Sequence, residues 1–341
     1  MLLGKKGTGK SALIDTILFL NSIKCSESND IIPLNLNEID LGTAQDILYQ
    51  YATFDTLTLG LESDVGMHLL DFQCDAQKDY VKPVGFDKSS TIEIIFKHIP
   101  AVYYLAASRV YPQTLHLKSR SGIEKYRFGI HGEHAVFFLA QHGADDINNE
   151  ALKHPKSNTT TLKDQANAWM GEISPGIRLN AEEIKGADAV KLDMQYLQPS
   201  RGYTNRFKPT HVGLGISYSL PVVMALLTSK PGEILLIDSP ESNLHPSAQV
   251  AIGRLASLAA ASGVQVILET HSDHIVNSVR VACKENCIAS NNVALFYFDR
   301  ETTKREQYAH IHDIDIDSNG ELSDYPDNLL TEWSSQLLKL M

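Results

Sequence analysis

The sequence predicts an α/β fold, in which helices flank a parallel or mixed sheet and an inserted second lobe interrupts the chain. Three observations lead to this prediction. A strand, a glycine-rich loop and a helix open the chain. From residue 234 onward, short apolar runs alternate with helical patterns, which is typical of buried parallel strands. The long stretch between residues 30 and 200 lacks this alternation, so it predicts the inserted lobe.

The composition is that of a globular protein with an acidic surface. The 341 residues are 43% hydrophobic, which is enough for a sizeable core in one large domain or two smaller ones. The net charge of −11 argues against a dedicated nucleic-acid coat or a polybasic membrane binder, although it is compatible with a local basic strip. Four cysteines without a CxxC pair, and no signal-peptide pattern, indicate the reducing cytoplasm. No apolar window is long enough to span a bilayer.

The first elements are a strand and a helix joined by a glycine loop. Leu2 and Leu3 lead into the loop, and apolar residues follow it at the spacing of a helix. These helical positions are Leu13, Ile14, Ile17, Leu18 and Ile23. The pattern therefore predicts a buried strand that passes through a tight loop into a helix.

The middle of the chain is less regular, and no linker divides it. Apolar runs predict strands at Thr91–Phe96 and Ala101–Leu105. Residues 143–165 are polar and rich in Asn, Ser and Pro, which predicts a loop or a mobile insertion.

The C-terminal region alternates strands with helices. The predicted strands are Ile234–Ile237, Val266–Leu268 and Val293–Phe298, and the predicted helices are Pro246–Ala261 and Ile275–Cys283. Alternation of this kind predicts a sheet that is covered on both faces.

A complete phosphate-binding loop lies between the first strand and the first helix. The glycines let the backbone curl so that its N–H groups point at phosphate oxygens, and the helix adds its positive N-terminal end. Lys10 supplies a charge to the β- and γ-phosphates, and the Ser11 hydroxyl ligates Mg²⁺. The predicted nucleotide-binding residues are Gly4, Lys5, Lys6, Gly7, Thr8, Gly9, Lys10 and Ser11.

An acidic partner for the metal is expected at the end of another strand, because the carboxyl ends of parallel strands share one edge of the sheet. Asp238 directly follows a buried run, so we expect its carboxylate beside the phosphate loop, where it ligates Mg²⁺ together with Ser11. His271 ends the next predicted strand, and we expect it to contact the γ-phosphate. The alternative interpretation of His271 is a purely structural histidine.

Together these motifs resemble the ABC-type ATPases of the SMC, RecF and OLD group, which are P-loop NTPases. More narrowly, the chain is similar to prokaryotic AAA family ATPases with a C-terminal domain of unknown function, and the resemblance covers nearly its whole length. Segment 212–221 resembles the ABC signature, segment 238–246 the Walker B and D-loop motifs, and segment 269–273 the switch-histidine motif. Two further landmarks are segment 104–109 with Pro112, and the tail 315–320.

The resemblance implies a single ATPase head that forms a homodimer, or a higher oligomer, around ATP. In the family, the signature caps the γ-phosphate of the ATP held by a second subunit, which assigns Gly213, Gly215 and Ser217 to a composite site. From the residues alone, the signature is a glycine-rich turn that opens a helix, and so forms a second anion site. The head comprises four segments, which are residues 1–45 with the phosphate loop, the inserted lobe 46–205, residues 206–310 with the signature, Walker B and switch-histidine motifs, and the tail 311–341.

Two features depart from the family's pattern. The residue after the Walker B acid is usually a catalytic glutamate, but here it is Ser239, which cannot act as a base at neutral pH. We therefore expect Glu241 or His271 to take the catalytic role, or hydrolysis to be slow with ATP acting as a dimer clamp. The chain also begins only three residues before the phosphate loop, where the family has further strands, so we expect a truncated or misassigned start. Gln45 and Gln50 are weak candidates for the family's metal-contacting glutamine.

Three functions stay open from the sequence. The first is a Mg²⁺-dependent ATPase that dimerises around ATP and regulates a partner effector; the resemblance to OLD-like proteins implies a nuclease in anti-phage defence. The second is a nucleotide-gated scaffold with little hydrolysis, which Ser239 favours. The third is a RecF-like DNA-repair ATPase, which the acidic charge and the lack of coiled-coil arms disfavour. A transporter subunit fits less well, because the signature departs from the transporter form.

Three weaker patterns point to further sites. A basic stretch before the signature is a candidate for nucleic-acid contact, but its position favours a role at the dimer interface or at ATP. It contains Arg201, Tyr203, Arg206, Phe207 and Lys208. The alternating aspartates of segment 313–317 lack the glycine that an EF-hand requires, so we expect a solvated strand end. The two cysteines of segment 283–287 share a helix face, but they lack further ligands at zinc spacing.

Overall fold

The computed structural model describes residues 1–5, 7–25, 30–36, 39–63, 66–85, 100–303, 306–326, 329–330 and 338–340. The chain divides into two compact units. The larger unit contains Met1–Lys10 and Tyr103–Met341, and the smaller unit contains Ser11–Val102. Within the described ranges, no helix has both the length and the apolar character that crossing a membrane requires.

The strands of the described residues are, in chain order, β1 Leu2–Gly4, β2 Ile32–Pro33, β3 Asn35–Leu36, β4 Ile39–Asp40, β5 Thr56–Ser63, β6 Gly66–Cys74, β7 Tyr80–Val84, β8 Val102–Leu105, β9 Leu115–Leu117, β10 Ile177–Glu183, β11 Ala189–Gln198, β12 Gly202–Tyr203, β13 Ile234–Asp238, β14 Gln265–Glu269, β15 Leu295–Thr302 and β16 Gln307–Ile314. The α-helices of the same described residues are α1 Lys10–Cys25, α2 Ala44–Ile47, α3 Arg120–Tyr126, α4 Ala135–His142, α5 Leu162–Ile173, α6 Leu214–Thr228, α7 Pro246–Ala261 and α8 Asp273–Lys284. Short 3₁₀ turns occur at Glu150–Leu152, Pro209–His211 and Ser290–Asn292.

A six-stranded sheet forms the centre of the larger unit, with the order β16–β15–β1–β14–β13–β8. Strand β1 pairs in parallel with β14 on one side and with β15 on the other. Strand β13 is parallel to β14, whereas β16 is antiparallel to β15. The sheet is therefore mixed. The residues Leu235, Leu236 and Ile237 of β13 are all buried, which explains why this strand is a continuous apolar run and not an alternating one.

Helix α8 begins where the switch-histidine segment ends, and a serine cap sets its start. The Ser272 hydroxyl accepts hydrogen bonds from the backbone N–H groups of His274 and Ile275, each at 3.1 Å. Such a cap satisfies backbone donors that the first turn of a helix leaves open. The cap also places His271 between the end of β14 and the start of α8.

A second antiparallel sheet belongs to the same larger unit. Strands β10, β11 and β12 lie in this order, and β9 pairs with β11. Helix α5 packs nearby, and its Trp169 indole donates a hydrogen bond to the Leu152 carbonyl at 2.9 Å.

The smaller unit has its own antiparallel sheet in the order β2–β7–β6–β5. Its core includes an edge-to-face contact between Phe19 of α1 and Phe72 of β6, with ring centroids 5.5 Å apart.

Most elements predicted for the C-terminal region are confirmed, with small shifts in their bounds. Helix α7 has the predicted bounds, and the strand predicted at 266–268 extends by one residue at each end. The strand predicted at Val293–Phe298 is instead Leu295–Thr302, because a 3₁₀ turn closes on Val293, whose N–H donates to the carbonyl of Ser290 at 3.0 Å.

The prediction for residues 143–165 is wrong at its C-terminal end, because α5 already begins at Leu162. The strand predicted at 101–105 is confirmed as β8, which begins one residue later. The strand predicted at 91–96 lies outside the described residues.

Candidate functional site

The phosphate loop follows β1 and is shaped by glycines in conformations that other residues rarely adopt. Gly4, Gly7 and Gly9 have φ angles of 124°, 74° and 98°. A β-carbon on Gly4 would collide with the backbone carbonyl of Phe298, which belongs to the neighbouring strand β15. Glycine is therefore required at this position both by the backbone conformation and by the close approach of β15.

Lys10 is held inside the loop. Its side chain is only 2% exposed, and its Nζ donates hydrogen bonds to the carbonyls of Gly4 at 3.0 Å and Lys5 at 2.7 Å. Burial lowers the pKa of Lys10, while the negative charges of Glu269 and Asp238 oppose that shift. The nearer of these carboxylates is Glu269, whose Oε1 lies 3.9 Å from Nζ. The ammonium group is thus placed by backbone carbonyls and carboxylates at the position where a phosphate loop binds anions.

The carboxyl ends of two neighbouring parallel strands bring acidic residues to one edge of the sheet. Asp238 ends β13 and is the register partner of Glu269, which ends β14. We expected the Asp238 carboxylate beside the phosphate loop; its charge does act on Lys10, but its strand β13 is not the direct neighbour of β1. The strand order places β14 between β1 and β13, so that the acid beside the loop is Glu269. The strand before His271 is the neighbour of the strand of Asp238, as expected, but it ends at Glu269, two residues before His271.

Ser239 occupies the position after the Walker B acid and adopts a strained turn. Its φ is 47°, a left-handed conformation that is uncommon for a residue with a side chain. Its hydroxyl donates to Asp238 Oδ1 at 2.8 Å, and its N–H donates to the Glu269 carbonyl at 2.8 Å. The serine therefore orients the predicted metal ligand.

The two predicted catalytic residues, Glu241 and His271, lie side by side. Glu241 Oε1 accepts a hydrogen bond from the backbone N–H of His271 at 2.8 Å, and its Oε2 accepts one from the Thr270 hydroxyl at 2.7 Å. The carboxylate thus connects the D-loop segment to the switch-histidine segment. Their catalytic roles stay predictions.

Arg109 is a member of this site that the sequence motifs did not assign. Its guanidinium donates to the carbonyl of Asp238 at 2.8 Å and to that of Ser239 at 3.3 Å, and the side chain is 4% exposed. Burial lowers the pKa of Arg109 to about 10, against the charges of Asp238 and Glu241 and of two tyrosines. Its Nε is buried, and within the described portion of the chain it has no hydrogen-bond partner. The signal in the sequence was its place in the family landmark 104–109, which carried no physical role until the fold was known.

The signature residues open helix α6. Gly213 is the N-cap, with open space around its α-carbon, whereas a β-carbon on Gly215 would collide with the carbonyl of Asn243 in the D-loop segment. Gly215 therefore packs against its own chain, and Ser217 lies in the first turn of the helix, half-buried. The structure thus joins the signature to the D-loop within one molecule, while the predicted contact with a second subunit stays a prediction.

The other predicted residues are positioned as follows. Thr8 Oγ1 donates to the carbonyl of Lys5 at 2.7 Å, and Ser11 is the second residue of α1. Lys6 lies outside the described residues. Gln45 lies in the short helix α2. Across the described ranges, no group of three or more His, Cys, Asp and Glu side chains is arranged to hold a metal ion.

Comparison with known families matches two consecutive regions of the chain. Residues 117–277 match a family described as an AAA domain, putative AbiEii toxin of a type IV toxin–antitoxin system. Residues 288–340 match a family of proteins of unknown function, DUF3696. The expected resemblance to AAA ATPases with a C-terminal domain of unknown function is thereby confirmed. No curated protein sequence gives a significant match.

Solved structures of SMC head domains are similar to the chain. An SMC head bound to the C-winged-helix domain of ScpA is 13% identical, with a TM-score of 0.48, and the match covers 91% of this chain and 89% of that one. A head domain from Thermotoga maritima is 12% identical, with a TM-score of 0.41, over 92% and 89% of the two chains. A head from Pyrococcus furiosus with an extended coiled coil, bound to the C-terminal domain of ScpA, is 12% identical, with a TM-score of 0.48, over 99% and 92%.

Proposed function

We propose that this AAA-type ATPase binds ATP with Mg²⁺ at the phosphate loop, dimerises around the nucleotide and hydrolyses it slowly to regulate a partner protein. The observation that carries the proposal is the placement of Lys10. Its buried ammonium lies within hydrogen-bond reach of the loop's own carbonyls and 3.9 Å from Glu269, at the edge of the sheet where Asp238 ends β13. An incoming polyphosphate takes the place of the loop carbonyls around Nζ, because its negative charge attracts the ammonium more strongly than a neutral carbonyl does.

Asp238 and Ser11 are the residues that would hold Mg²⁺. The donor set fits this ion, since Mg²⁺ prefers oxygen ligands and binds through one or two protein groups together with phosphate oxygens and water. The Ser239 hydroxyl orients Asp238 by its hydrogen bond to Oδ1 and leaves the second carboxylate oxygen for a metal. When bound, Mg²⁺ neutralises charge on the phosphates.

Dimerisation is proposed on the basis of the signature helix α6. Gly213 stands at the N-terminus of the 15-residue helix α6, with open space around it, and a helix N-terminus attracts anions. Since Gly215 packs against the D-loop of its own chain, we propose that the signature and the D-loop move as one body toward the ATP of a second subunit.

Slow hydrolysis follows from the residues around Asp238. Ser239 cannot accept a proton at neutral pH, and both carboxylate oxygens of Glu241 already accept hydrogen bonds from neighbouring groups. A general base typically contributes about 10²–10⁴-fold to a rate. We therefore expect Ser239→Glu to raise basal turnover, and wild-type turnover to be slow in the absence of a partner.

The partner in this proposal is a protein effector. The matched family is described by a putative toxin of a type IV toxin–antitoxin system, which supports a role in controlling a toxic activity. The specific form that we propose is control of a nuclease in anti-phage defence, in the cytoplasm. A DNA-repair role like that of RecF is the alternative, and stimulation of turnover by DNA would favour it.

The first experiment tests nucleotide binding. Calorimetry with MgATP and steady-state phosphate release are compared for wild type, Lys10→Ala and the control Lys185→Ala, which removes an exposed lysine from a turn. We expect Lys10→Ala alone to lose binding and turnover. Normal behaviour of Lys10→Ala would refute the proposed site.

The second experiment tests the composite site. A Lys10→Ala chain is mixed with a Ser217→Arg chain, each folded by circular dichroism. If each site combines Lys10 of one subunit with Ser217 of the other, the mixture contains one intact site per heterodimer and recovers activity. An inactive mixture at every ratio would contradict composite sites.

A further inference from the structure

The C-terminal segment of unknown function packs directly against the phosphate loop. Residues 288–340 include the β15–β16 hairpin, and β15 pairs with β1 so that Phe298 is the partner of Gly4. The missing side chain of Gly4 lets the Phe298 carbonyl approach the start of the loop. The register then places the residues that follow Phe298 alongside the loop itself.

Two residues of the hairpin reach the loop. The Arg300 guanidinium donates a hydrogen bond from Nη2 to the carbonyl of Gly7, at the turn of the loop. On β16, Ala309 is the register partner of Arg300, and its Cβ lies 3.5 Å from where a β-carbon on Gly9 would stand. The hairpin therefore lies against the loop, and Arg300 is a polar residue that contacts it there.

The arginine is available to an anion. Its side chain is exposed, and among the described residues its guanidinium forms no ion pair with a carboxylate. Its contact with the neutral carbonyl of Gly7 uses one of five donors. A planar guanidinium matches the geometry of phosphate oxygens, and a hydrogen bond to a charged acceptor is about twice as strong as one to a neutral acceptor.

We propose that Arg300 is a phosphate-contact residue, which the C-terminal segment supplies to the nucleotide site of its own chain. On nucleotide binding, the guanidinium exchanges the Gly7 carbonyl for a phosphate oxygen of the nucleotide. This inference rests on the proposed binding of ATP at the phosphate loop. It gives the C-terminal segment a specific task, which is to add charge to the polyphosphate site.

The test distinguishes an effect of the Arg300 charge on the phosphates from a purely structural role, in which Arg300 only supports the loop. Dissociation constants for ADP and for the non-hydrolysed analogue AMP-PNP are measured with Mg²⁺, and for AMP, at two salt concentrations. The variants are Arg300→Ala, Arg300→Lys and Arg300→Gln, where the glutamine amide keeps N–H donors but carries no charge. The matched control is Arg254→Ala, which removes an exposed arginine from helix α7.

We expect Arg300→Ala and Arg300→Gln to weaken AMP-PNP binding about tenfold. AMP binding should change less, because AMP carries less charge, and the salt dependence of AMP-PNP binding should become shallower. Arg300→Lys should retain most of the affinity. Wild-type affinity in Arg300→Gln, or an equal loss for AMP-PNP and AMP, would overturn the inference in favour of a purely structural role.

Lys10→Ala measured in parallel distinguishes failure of this inference from failure of the proposed nucleotide site. If Lys10→Ala no longer binds AMP-PNP while Arg300→Ala binds it with wild-type affinity, the inference fails and the proposed function stands. If the wild type binds none of the three nucleotides, both are refuted. Melting temperatures of all variants identify any that fail to fold. If Arg300→Ala fails to fold, the affinities of Arg300→Lys and Arg300→Gln are compared with each other and with wild type instead.

Discussion

Replacing Arg109 by methionine tests whether a buried cation holds the Walker B turn. The substitution keeps much of the apolar stem and removes the donors to the carbonyls of Asp238 and Ser239. Each hydrogen bond from a charged group contributes ~1.5–3 kcal/mol, and the relieved burial of the charge offsets some of that sum. We therefore expect a loss of about 3 kcal/mol in the free energy of unfolding. For a unit of this size, a loss of that magnitude corresponds to a melting temperature lower by about 6–12 °C.

The same variant should weaken Mg²⁺ binding more than it weakens nucleotide binding. Groups that orient a metal ligand typically contribute about 10–100-fold to metal affinity, and Arg109 fixes the backbone of the predicted ligand Asp238. The assay titrates Mg²⁺ at a saturating ATP analogue and, separately, measures analogue binding without metal. We expect a half-saturating Mg²⁺ concentration that is raised about 10–100-fold, with metal-free binding changed little.

Two results would refute this reasoning. A melting temperature within about 2 °C of wild type would show that the two hydrogen bonds do not stabilise the turn. An equal loss of metal-free and metal-dependent binding would show a general structural role. Arg109→Lys is the matched control, because it keeps the charge but cannot reach both carbonyls with one planar group. It should therefore fall between wild type and Arg109→Met.

Three further predictions concern catalysis, packing and pH. Glu241→Gln should lower turnover about tenfold in a phosphate-release assay while calorimetric ATP binding stays normal, because an amide nitrogen cannot accept one of the two hydrogen bonds from the switch-histidine segment; unchanged turnover would exclude a role of Glu241 in hydrolysis. Gly4→Ala should destabilise the protein by about 3 kcal/mol or more in urea unfolding, since its β-carbon meets the Phe298 carbonyl, whereas Gly171→Ala in helix α5 should stabilise it by about 1 kcal/mol. Burial lowers the pKa of His116 from its usual 6.5, so the folded state binds fewer protons and stability should fall as pH drops below about 6.5. His116→Gln should reduce the change in melting temperature between about pH 7 and 5, and an unchanged pH dependence would contradict the assignment.

Local patterns determined the elements that carry the nucleotide motifs. The glycine spacing predicted the phosphate loop, and the proline that opens α7, together with its apolar periodicity, predicted that helix with its observed bounds. Such signals are readable because propensity, capping and periodicity act between residues that are close in sequence. Local hydrogen bonds also explain why β15 begins later than predicted, because a single 3₁₀ turn occupies residues 290–292.

Only the tertiary structure decided which of these elements meet. Both the contact of Arg109 with Asp238 and the approach of Glu269 to Lys10 depend on the order of the strands in the sheet. That order results from packing of the whole core, and strands with similar apolar runs do not encode their neighbours locally. The same holds for Arg300, whose place beside Gly7 follows from the pairing of β1 with β15, two strands that lie at opposite ends of the sequence. The sequence by itself therefore specified the chemistry of the phosphate loop. Packing of the core determined which side chains from distant segments lie around that loop.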